Sequence, residues 1–321
     1  MSINSYWQID TAAEPQRSEP SRRPHLPGLI RDRRVPTHNR FDYYVQQAEG
    51  AAQTGFDGLF LPYRRDADES RIVAAVIARA VPRIGVIPEF PVSIGSAVYA
   101  AKQASTFQRS THSRLGWAIA PDADVATRLA EGDTVGEEQL DERVDEFLTV
   151  ARGVHSQRPF TFEGRHFEVK DGGFADPLNR VPFPTVFLQG ESEEALSLSA
   201  RHADVHLFRP QASGQALAGL IETLDGLAKR VDRSVAFGIL QPVLVRDLDE
   251  DAQSEAARIG VAEGTLVGSF DAVADRLADL AALGITHFIL SASPSLEEAY
   301  RVGQHLLPRL RALTDTARAA A

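Results

Sequence analysis

The chain has 321 residues, of which 34 are Lys or Arg and 44 are Asp or Glu, so its formal net charge is −10 at pH 7. This acidic balance argues against nucleic acid or an anionic membrane as the main partner. The chain contains no cysteine, which excludes disulfides, thiolate metal sites and a cysteine nucleophile. No apolar run approaches the roughly 20 residues of a membrane span, and the N-terminus lacks a basic-then-apolar signal, so we expect a cytoplasmic protein.

Short apolar strands alternate with helices along the chain. The predicted strands are residues 2–9, 58–62, 83–90, 115–120, 185–189, 204–208, a segment within 235–245, and 287–290. Between the fourth and fifth strands, an amphipathic helix over 137–154 and a hairpin over 159–169 form an insertion. This alternation favours an α/β fold of the (β/α)8 (TIM) barrel type, as one domain over residues 1–321, rather than an open doubly wound sheet.

The stretch 265–308 shows the pattern most clearly. Val273 and Leu277 lie on one face of a predicted helix, which Gly284 is expected to end in a left-handed conformation. The strand over 287–290 follows, and Ser295 is expected to cap the next helix. The order of helix, turn, strand and helix is typical of one βα unit that closes on another.

Arginines gather where the predicted strands end, which is the functional face of a (β/α)8 barrel. Arg65 follows the second strand and Arg209 follows the sixth. The loop after the first strand adds six more: Arg17, Arg22, Arg23, Arg31, Arg33 and Arg34. Guanidinium groups bind phosphate and sulfonate well, so we predict that Arg65, Arg209 and this loop bind a small anionic substrate. The alternative interpretation is that these arginines are solvated surface charges.

The best local anion site is the strand-to-helix turn that begins GESEE. Gly190, Glu191 and Ser192 follow a predicted strand and open a helix, whose free backbone N–H groups and dipole can hold a phosphate. Gly190 allows the ligand to approach closely. Glutamates in a first helical turn also stabilise the helix dipole without any ligand, and this second interpretation stays open.

Two histidines, His202 and His206, stand four residues apart, which is a metal-ligand spacing only on a continuous helix. The predicted helix ends near Ala203 and a strand follows. We therefore expect no metal site, and His206 is interpreted as a core histidine. The chain contains neither G-x-S-x-G nor G-x-G-x-x-G, which argues against serine hydrolases and Rossmann folds.

Motifs along nearly the whole chain match one family: MSINSYW, GFDGLFLP, AAKQASTFQRS, PFTFEGRHFEV and GITHFILSASPSLEEAYRVGQHLLP. They resemble the alkanesulfonate monooxygenases of the bacterial-luciferase-like superfamily. The resemblance implies a luciferase-like barrel and a small, organosulfur-type substrate. It also implies reduced FMN, supplied by a separate flavin reductase, with the phosphate at the Gly190–Ser192 turn, and a homodimer or larger homo-oligomer. Trp7, in the first motif, is expected to bind substrate together with Arg65 and Arg209.

The resemblance breaks at positions that the family uses for chemistry. Ala67 stands where the family has a Cys, Leu240 and Pro242 stand for an Arg and a His, and Ser293 stands for a Tyr. The segment 247–264 is short where the family carries a mobile lid. No catalytic residue is therefore predicted. Two alternatives to a monooxygenase stay open: a non-catalytic or flavin-free partner subunit, and a relative that uses a deazaflavin.

Overall fold

The computed structural model describes residues 3–12, 40–121 and 123–320. The six arginines of the loop after the first strand lie outside the described residues. The chain divides into two compact units, one comprising Met1–Val86 with Ile239–Ala321 and the other comprising Ile87–Gly238. The prediction of a single domain stays a prediction.

The strands begin and end close to the predicted positions. In chain order they are β1 (Asn4–Gln8), β2 (Gly58–Leu61), β3 (Gly85–Phe90), β4 (Gly116–Ile119), β5 (Phe160–Glu163), β6 (Glu168–Gly172), β7 (Thr185–Gln189), β8 (Val205–Phe208), β9 (Ala236–Arg246), β10 (Leu266–Ser269) and β11 (Ile285–Ser291).

The helices are amphipathic or short. They are α1 (Arg40–Gln53), α2 (Ser70–Ala80), α3 (Ala97–Thr111), α4 (Val125–Ala130), α5 (Leu140–Ser156), α6 (Glu193–His202), α7 (Gly214–Arg230), α8 (Asp249–Ile259), α9 (Phe270–Ala282), α10 (Ser295–Arg301) and α11 (Leu307–Ala320), with a π-helical segment, Val302–Leu306, between the last two. Among the described residues, no helix is both long and apolar enough to cross a bilayer.

Parallel pairing connects the strands within each unit. In the first unit, β1 lies between β2 and β11, with Trp7 opposite Leu59 on one side and Leu290 on the other. In the second unit, β4 pairs with the end of β3 and with β7, and β7 pairs with β8. The strand order β10-β9-β11-β1-β2-β3-β4-β7-β8, with a further pairing between β9 and β8, is that of a (β/α)8 barrel. The predicted fold class is confirmed.

Two features depart from the predicted elements. Strand β10 was not predicted, and it forms because Leu266–Ser269 pairs in parallel with Val243–Arg246 at the end of β9. Ser295 does not cap the helix that follows it. It is the first residue of α10, and its hydroxyl oxygen accepts a hydrogen bond from the indole N–H of Trp7 at 2.9 Å. Gly284 does adopt the expected positive φ, at 106°.

Each unit has its own core. In the first unit, the fully buried Trp7 contacts Phe56, and their ring centroids are 5.4 Å apart. In the second unit, Trp117 contacts Phe90 and Phe147, with centroid distances of 5.2 and 6.1 Å. These rings come from β3, β4 and α5, so the predicted insertion helix is part of the core of its unit.

Candidate functional site

The turn between β7 and α6 has a backbone that only glycine adopts easily. Gly190 has a φ of +122°, and a Cβ added there would lie 2.7 Å from the Cβ of Ala195. A side chain at this position would therefore be strained both by its backbone and by its neighbour. The next residues start α6, where the Ser192 hydroxyl oxygen accepts a hydrogen bond from the Ala195 N–H at 3.1 Å. The turn places the exposed N-terminus of α6, a helix of ten residues, at the carboxyl end of the buried strand β7.

Glu191 and Arg209, predicted separately from the sequence, are brought together by a residue that was not predicted. The side-chain amide of Gln211 donates one hydrogen bond to Glu191 Oε1 at 2.6 Å and another to the backbone carbonyl of Arg209 at 3.2 Å. This contact holds the Glu191 carboxylate beside the loop that follows β8. No sequence pattern marks Gln211, because a lone Gln in a loop is usually a surface residue.

His206 lies on β8 and is fully buried, as predicted for a core histidine. Its Nδ1 lies 2.8 Å from the Ser199 hydroxyl, and its Nε2 is a buried atom with no hydrogen-bond partner among the described residues. Burial lowers the pKa of His206 to about 4, and a contact with the Gly190 backbone offsets part of this shift. The imidazole is therefore neutral at pH 7. It occupies the strand next to the one that ends at the Gly190 turn.

A buried carboxylate also lies in the second unit. Glu89 on β3 is 6% exposed and accepts a hydrogen bond from the side-chain amide of Gln189, the last residue of β7, at 2.5 Å. Because β4 lies between these two strands, the contact spans β4. On β4, Gly116 makes room for the side chains of Ile87 and Phe187, since a Cβ there would lie 3.0 Å from each.

The first unit contains a cavity of about 340 Å³ at the carboxyl ends of β1 and β11. Its wall combines polar and apolar groups. The polar residues are Gln8, Asp10, Thr265, Ser291, Ser293, Ser295 and Glu298, and the apolar ones include Pro242, Val243, Leu244, Ile259 and Val261. Pro242 and Ser293, two of the positions at which the chain departs from the alkanesulfonate monooxygenases, thus meet in one cavity.

The acidic side chains of this cavity already have cationic partners. Asp10 accepts hydrogen bonds from Nε and Nη2 of Arg64, the shortest at 2.6 Å. Glu298 is buried and pairs with Arg246 at 3.2 Å and with Arg301. Among the described residues, no lysine or arginine lines the cavity itself.

Arg246 connects the end of β9 with two helices. Its Nε donates to Glu255 of α8 at 2.5 Å, and its Nη1 donates to Glu298 of α10 at 3.2 Å. Burial alone would lower the pKa of Arg246, but the hydrogen bonds and charges of Glu255 and Glu298 outweigh it and raise that pKa. The same hydrogen bond lowers the pKa of Glu255. These ion pairs hold α8 against the end of β9.

Part of the cavity wall comes from the segment 247–264 and the residue after it, where the family carries a mobile lid. Ile259, Val261 and Thr265 belong to the end of α8 and the turn that follows it. This turn is held to β9 by the side-chain amide of Gln241, which donates to the Gly264 carbonyl at 2.8 Å. The segment is therefore a short helix and a turn with fixed contacts.

Within the part of the chain that the structure describes, Trp7, Arg65 and Arg209 were predicted to bind substrate, and these three lie outside the cavity wall. Trp7 is buried beneath it and reaches it only through its hydrogen bond to Ser295. Arg65 is exposed and pairs with the adjacent Asp66 at 2.9 Å. Arg209 is exposed in the second unit, beside the turn that carries Glu191. Their roles in substrate binding stay predictions.

Comparison with known families agrees with this architecture. Residues 25–260 match the family model of the luciferase-like monooxygenases. The chain belongs to this family. The match includes the turn at Gly190–Ser192 and the strand that contains Pro242, whereas Ser293 and Glu298 lie beyond it.

Solved structures with the same fold are distant in sequence. EDTA monooxygenase (EmoA) from Chelativorans sp. BNC1 is 18% identical, with a TM-score of 0.78 over 97% of this luciferase-like chain and 94% of that chain. Riboflavin lyase (RcaE), solved with modified FMN and riboflavin, is 15% identical, with a TM-score of 0.80 over 97% and 92%. The coenzyme F420-dependent tetrahydromethanopterin reductase from Methanopyrus kandleri is 13% identical, with a TM-score of 0.74 over 97% and 100%. At these identities the likeness establishes the fold.

Proposed function

We propose that this luciferase-like chain is a reduced-FMN-dependent monooxygenase of the alkanesulfonate monooxygenase type that acts on a small organic substrate. The observation that carries the proposal is the turn at Gly190, where a positive-φ glycine leads from a buried strand into an exposed helix N-terminus. Such a turn can hold a phosphate with backbone N–H groups and the helix dipole. The family resemblance implies a flavin phosphate at a turn of this kind, which supports the proposal.

The residues of this turn fit a flavin phosphate. Gly190 has no side chain and a positive φ, so its backbone can be approached closely, and Ser192 orders the first turn of α6. Glu191 would repel a phosphate if it turned toward it, but Gln211 holds its carboxylate at 2.6 Å. Arg209 can supply the compensating charge from the neighbouring loop. Reduced flavin, when bound, supplies the oxygenating chemistry, while the protein binds and orients it and excludes water.

The remaining parts of the proposal come from the resemblance. A separate flavin reductase would supply the reduced FMN, and the protein would be a cytoplasmic homodimer or larger homo-oligomer. The sequence favours a small anionic substrate, of which organosulfur compounds are one class, held by Arg65 and Arg209 with Trp7 nearby.

The experiment is an anaerobic titration of reduced FMN into the wild type and into Ser192→Asp. Aspartate is as good a helix N-cap as serine, so the variant keeps α6 stable while its charge repels a phosphate. We expect affinity to fall at least about tenfold, a change that corresponds to about 1.4 kcal/mol. Ser213→Asp is the matched control, because Ser213 caps α7 in the same way, accepting from the Ala216 N–H at 3.2 Å. Equal affinities in wild type and Ser192→Asp would reject the assignment of the phosphate.

A second candidate function is a flavin-free partner subunit. The observation that favours it is Pro242 and Ser293 in the cavity wall, where the resemblance predicts a His and a Tyr. This candidate predicts no binding of FMN in either redox state. It also predicts a stable complex when the chain is co-expressed with a second, flavin-binding luciferase-like chain. Binding of reduced FMN by the isolated protein would exclude it.

A further inference from the structure

Two polar side chains of the second unit meet at the carboxyl ends of their strands. Glu89 is the last residue but one of β3, and Gln189 is the last residue of β7. The side-chain amide of Gln189 donates to Glu89 Oε1 at 2.5 Å. Functional residues of a (β/α)8 barrel gather at this end of the strands. The pair therefore lies where a ligand is expected, and Gln189 is followed directly by Gly190, which begins the turn proposed to hold the flavin phosphate.

Glu89 lies on the face of the sheet that points away from α5. Phe90 and Trp117 contact Phe147 of α5, with centroid distances of 6.4 and 6.1 Å. Glu89 adjoins Phe90 in β3, and successive side chains of a strand point to opposite faces. Glu89 is therefore on the other face, and so is Ala118, which stands opposite it on β4.

Gln189 reaches Glu89 across β4, where the intervening side chain is small. Ala118 of β4 pairs with Glu89 on one side and with Phe187 of β7 on the other. Gln189 stands two residues after Phe187, so it points to the same face. Because the side chain of Ala118 is a single methyl group, β4 leaves room for the two polar side chains to meet.

Glu89 determines which way the Gln189 amide points. A carboxylate only accepts hydrogen bonds, so it takes the NH2 group of the amide and not the carbonyl oxygen. Glu89 is 6% exposed, whereas Gln189 is only partly buried. The carboxylate is thus held inside the protein, and the amide that it orients is the member of the pair that a ligand can reach.

We propose that the carbonyl oxygen of the Gln189 side chain accepts a hydrogen bond from a hydroxyl of the flavin's ribityl chain, and that Glu89 is the positioning residue that orients this amide. The inference rests on the proposed function, because it takes the flavin phosphate to lie at the turn that begins at Gly190. Consecutive Cα atoms are about 3.8 Å apart, so the Gln189 side chain is within reach of the ligand group next to the phosphate. In FMN that group is the ribityl chain, and its hydroxyls can donate hydrogen bonds.

The test compares reduced riboflavin with reduced lumiflavin in anaerobic fluorescence titrations of the full chain. Neither flavin has a phosphate, and lumiflavin also lacks the ribityl chain, so the ratio of their affinities reports the ribityl contacts. We expect the wild type to bind riboflavin more tightly. In the double variant Glu89→Leu/Gln189→Leu the ratio should fall at least about threefold, as expected for the loss of one hydrogen bond. The double variant removes both members of the buried hydrogen bond, so neither side chain is left without the other.

Two single variants separate orientation from a general loss of structure. Glu89→Leu keeps Gln189 but removes the group that orients it, so the ratio should fall about twofold or more. Gln108→Leu is the matched control. Gln108 is another buried amide of the second unit, and its Oε1 accepts a hydrogen bond from the Leu115 N–H at 3.0 Å, just before β4 begins. This variant should lose stability but keep the wild-type ratio.

Equal affinities of the wild type for riboflavin and lumiflavin would overturn the proposal, as would a ratio that is unchanged in the double variant or falls equally in Gln108→Leu. An unchanged ratio in Glu89→Leu would overturn the positioning role of Glu89. Failure of the phosphate assignment gives a different result, namely equal affinities of the wild type for reduced FMN and reduced riboflavin. If only the role of Gln189 is wrong, reduced FMN still binds more tightly than reduced riboflavin.

Discussion

The turn between β7 and α6 and the cavity of the first unit are built from different parts of the polypeptide. The turn relies on backbone N–H groups, one glycine and a helix N-terminus, and its side chains contribute little. The cavity relies on side chains, and its carboxylates are already paired with arginines. A site made of backbone survives wide sequence change as long as its glycine is kept. A site made of side chains changes its specificity with each substitution, as Pro242 and Ser293 illustrate.

The largest expected effect concerns the ion pairs behind the cavity. Glu298→Ala removes a buried carboxylate that pairs with both Arg246 and Arg301. Arg246 keeps its ion pair with Glu255, whereas Arg301 loses its pair with Glu298. We expect the free energy of unfolding to fall by about 3 kcal/mol, the lower end for a broken buried ion pair, because Glu255 still pairs with Arg246. Urea unfolding measures it. Glu263→Ala, an exposed acid in the turn after α8, should change stability by less than about 0.5 kcal/mol. A loss of less than about 1 kcal/mol for Glu298→Ala is roughly what an exposed ion pair contributes. Such a result would contradict the claim that Glu298 stabilises the fold through buried ion pairs.

The histidine beside the turn predicts a pH dependence of stability. The pKa of His206 is about 4 when folded and 6.5 when unfolded, so the unfolded chain binds a proton first as pH falls. Its neutral form therefore supports the fold above pH 6.5, and this support is lost between pH 6.5 and pH 4. Between pH 7 and pH 5 we expect a loss of about 2 kcal/mol from this residue.

The comparison that isolates this loss is urea unfolding of the wild type and His206→Asn at pH 7 and pH 5. His155 and His202 also have lowered pKa values, through burial first, but they are present in both proteins. The wild type should lose more stability than the variant on acidification. Identical pH dependence in the two proteins would mean that folding does not lower the pKa of His206.

A smaller effect is expected for the glycine of the turn. Gly190→Ala forces an alanine to a φ of +122° and brings two Cβ atoms to 2.7 Å. We expect reduced-FMN affinity to fall about tenfold, since strain of 1–2 kcal/mol shifts the turn away from its binding geometry. Gly219→Ala is the matched control, because nothing lies within 4 Å of a Cβ there. If Gly190→Ala and Gly219→Ala bind reduced FMN with the same affinity, the turn is not part of the flavin site.

The smallest effect is expected at Arg65. Its pair with Asp66 is exposed, so Arg65→Ala should change stability by less than about 0.5 kcal/mol. If Arg65 binds an anionic substrate, the variant should raise KM about threefold or more at unchanged kcat. Arg71→Ala, which removes another surface ion pair of the first unit, serves as the control. An unchanged KM in Arg65→Ala would exclude this arginine from substrate binding.

Local patterns predicted most of the fold because most strands outside the hairpin of β5 and β6 are short, largely apolar runs. Strand β7 has the predicted bounds, Thr185–Gln189, and Gly284 has the predicted positive φ. The misses arise from long-range contacts. Strand β10 exists because it pairs with β9, and the Ser295 hydroxyl accepts from Trp7, which is 288 positions away in the chain.

The candidate sites were predictable to different degrees for the same reason. The turn at Gly190–Ser192 is contiguous in sequence, so its glycine and its cap can be recognised there. The cavity joins residues from β1, β9, the turn after α8, and α10. In the sequence LEEAY, Glu298 has the pattern of a surface charge. Its role as a buried ion-pair partner becomes visible only from its contacts with Arg246 and Arg301.

The most direct test of the central claim compares reduced FMN with reduced riboflavin, which lacks the phosphate, in anaerobic fluorescence titrations of the wild-type protein. If the turn at Gly190 holds the phosphate, reduced FMN should bind at least about tenfold more tightly, as expected for a ligand anion held at a helix N-terminus. Equal affinity for the two flavins, or no binding of either, would contradict the account.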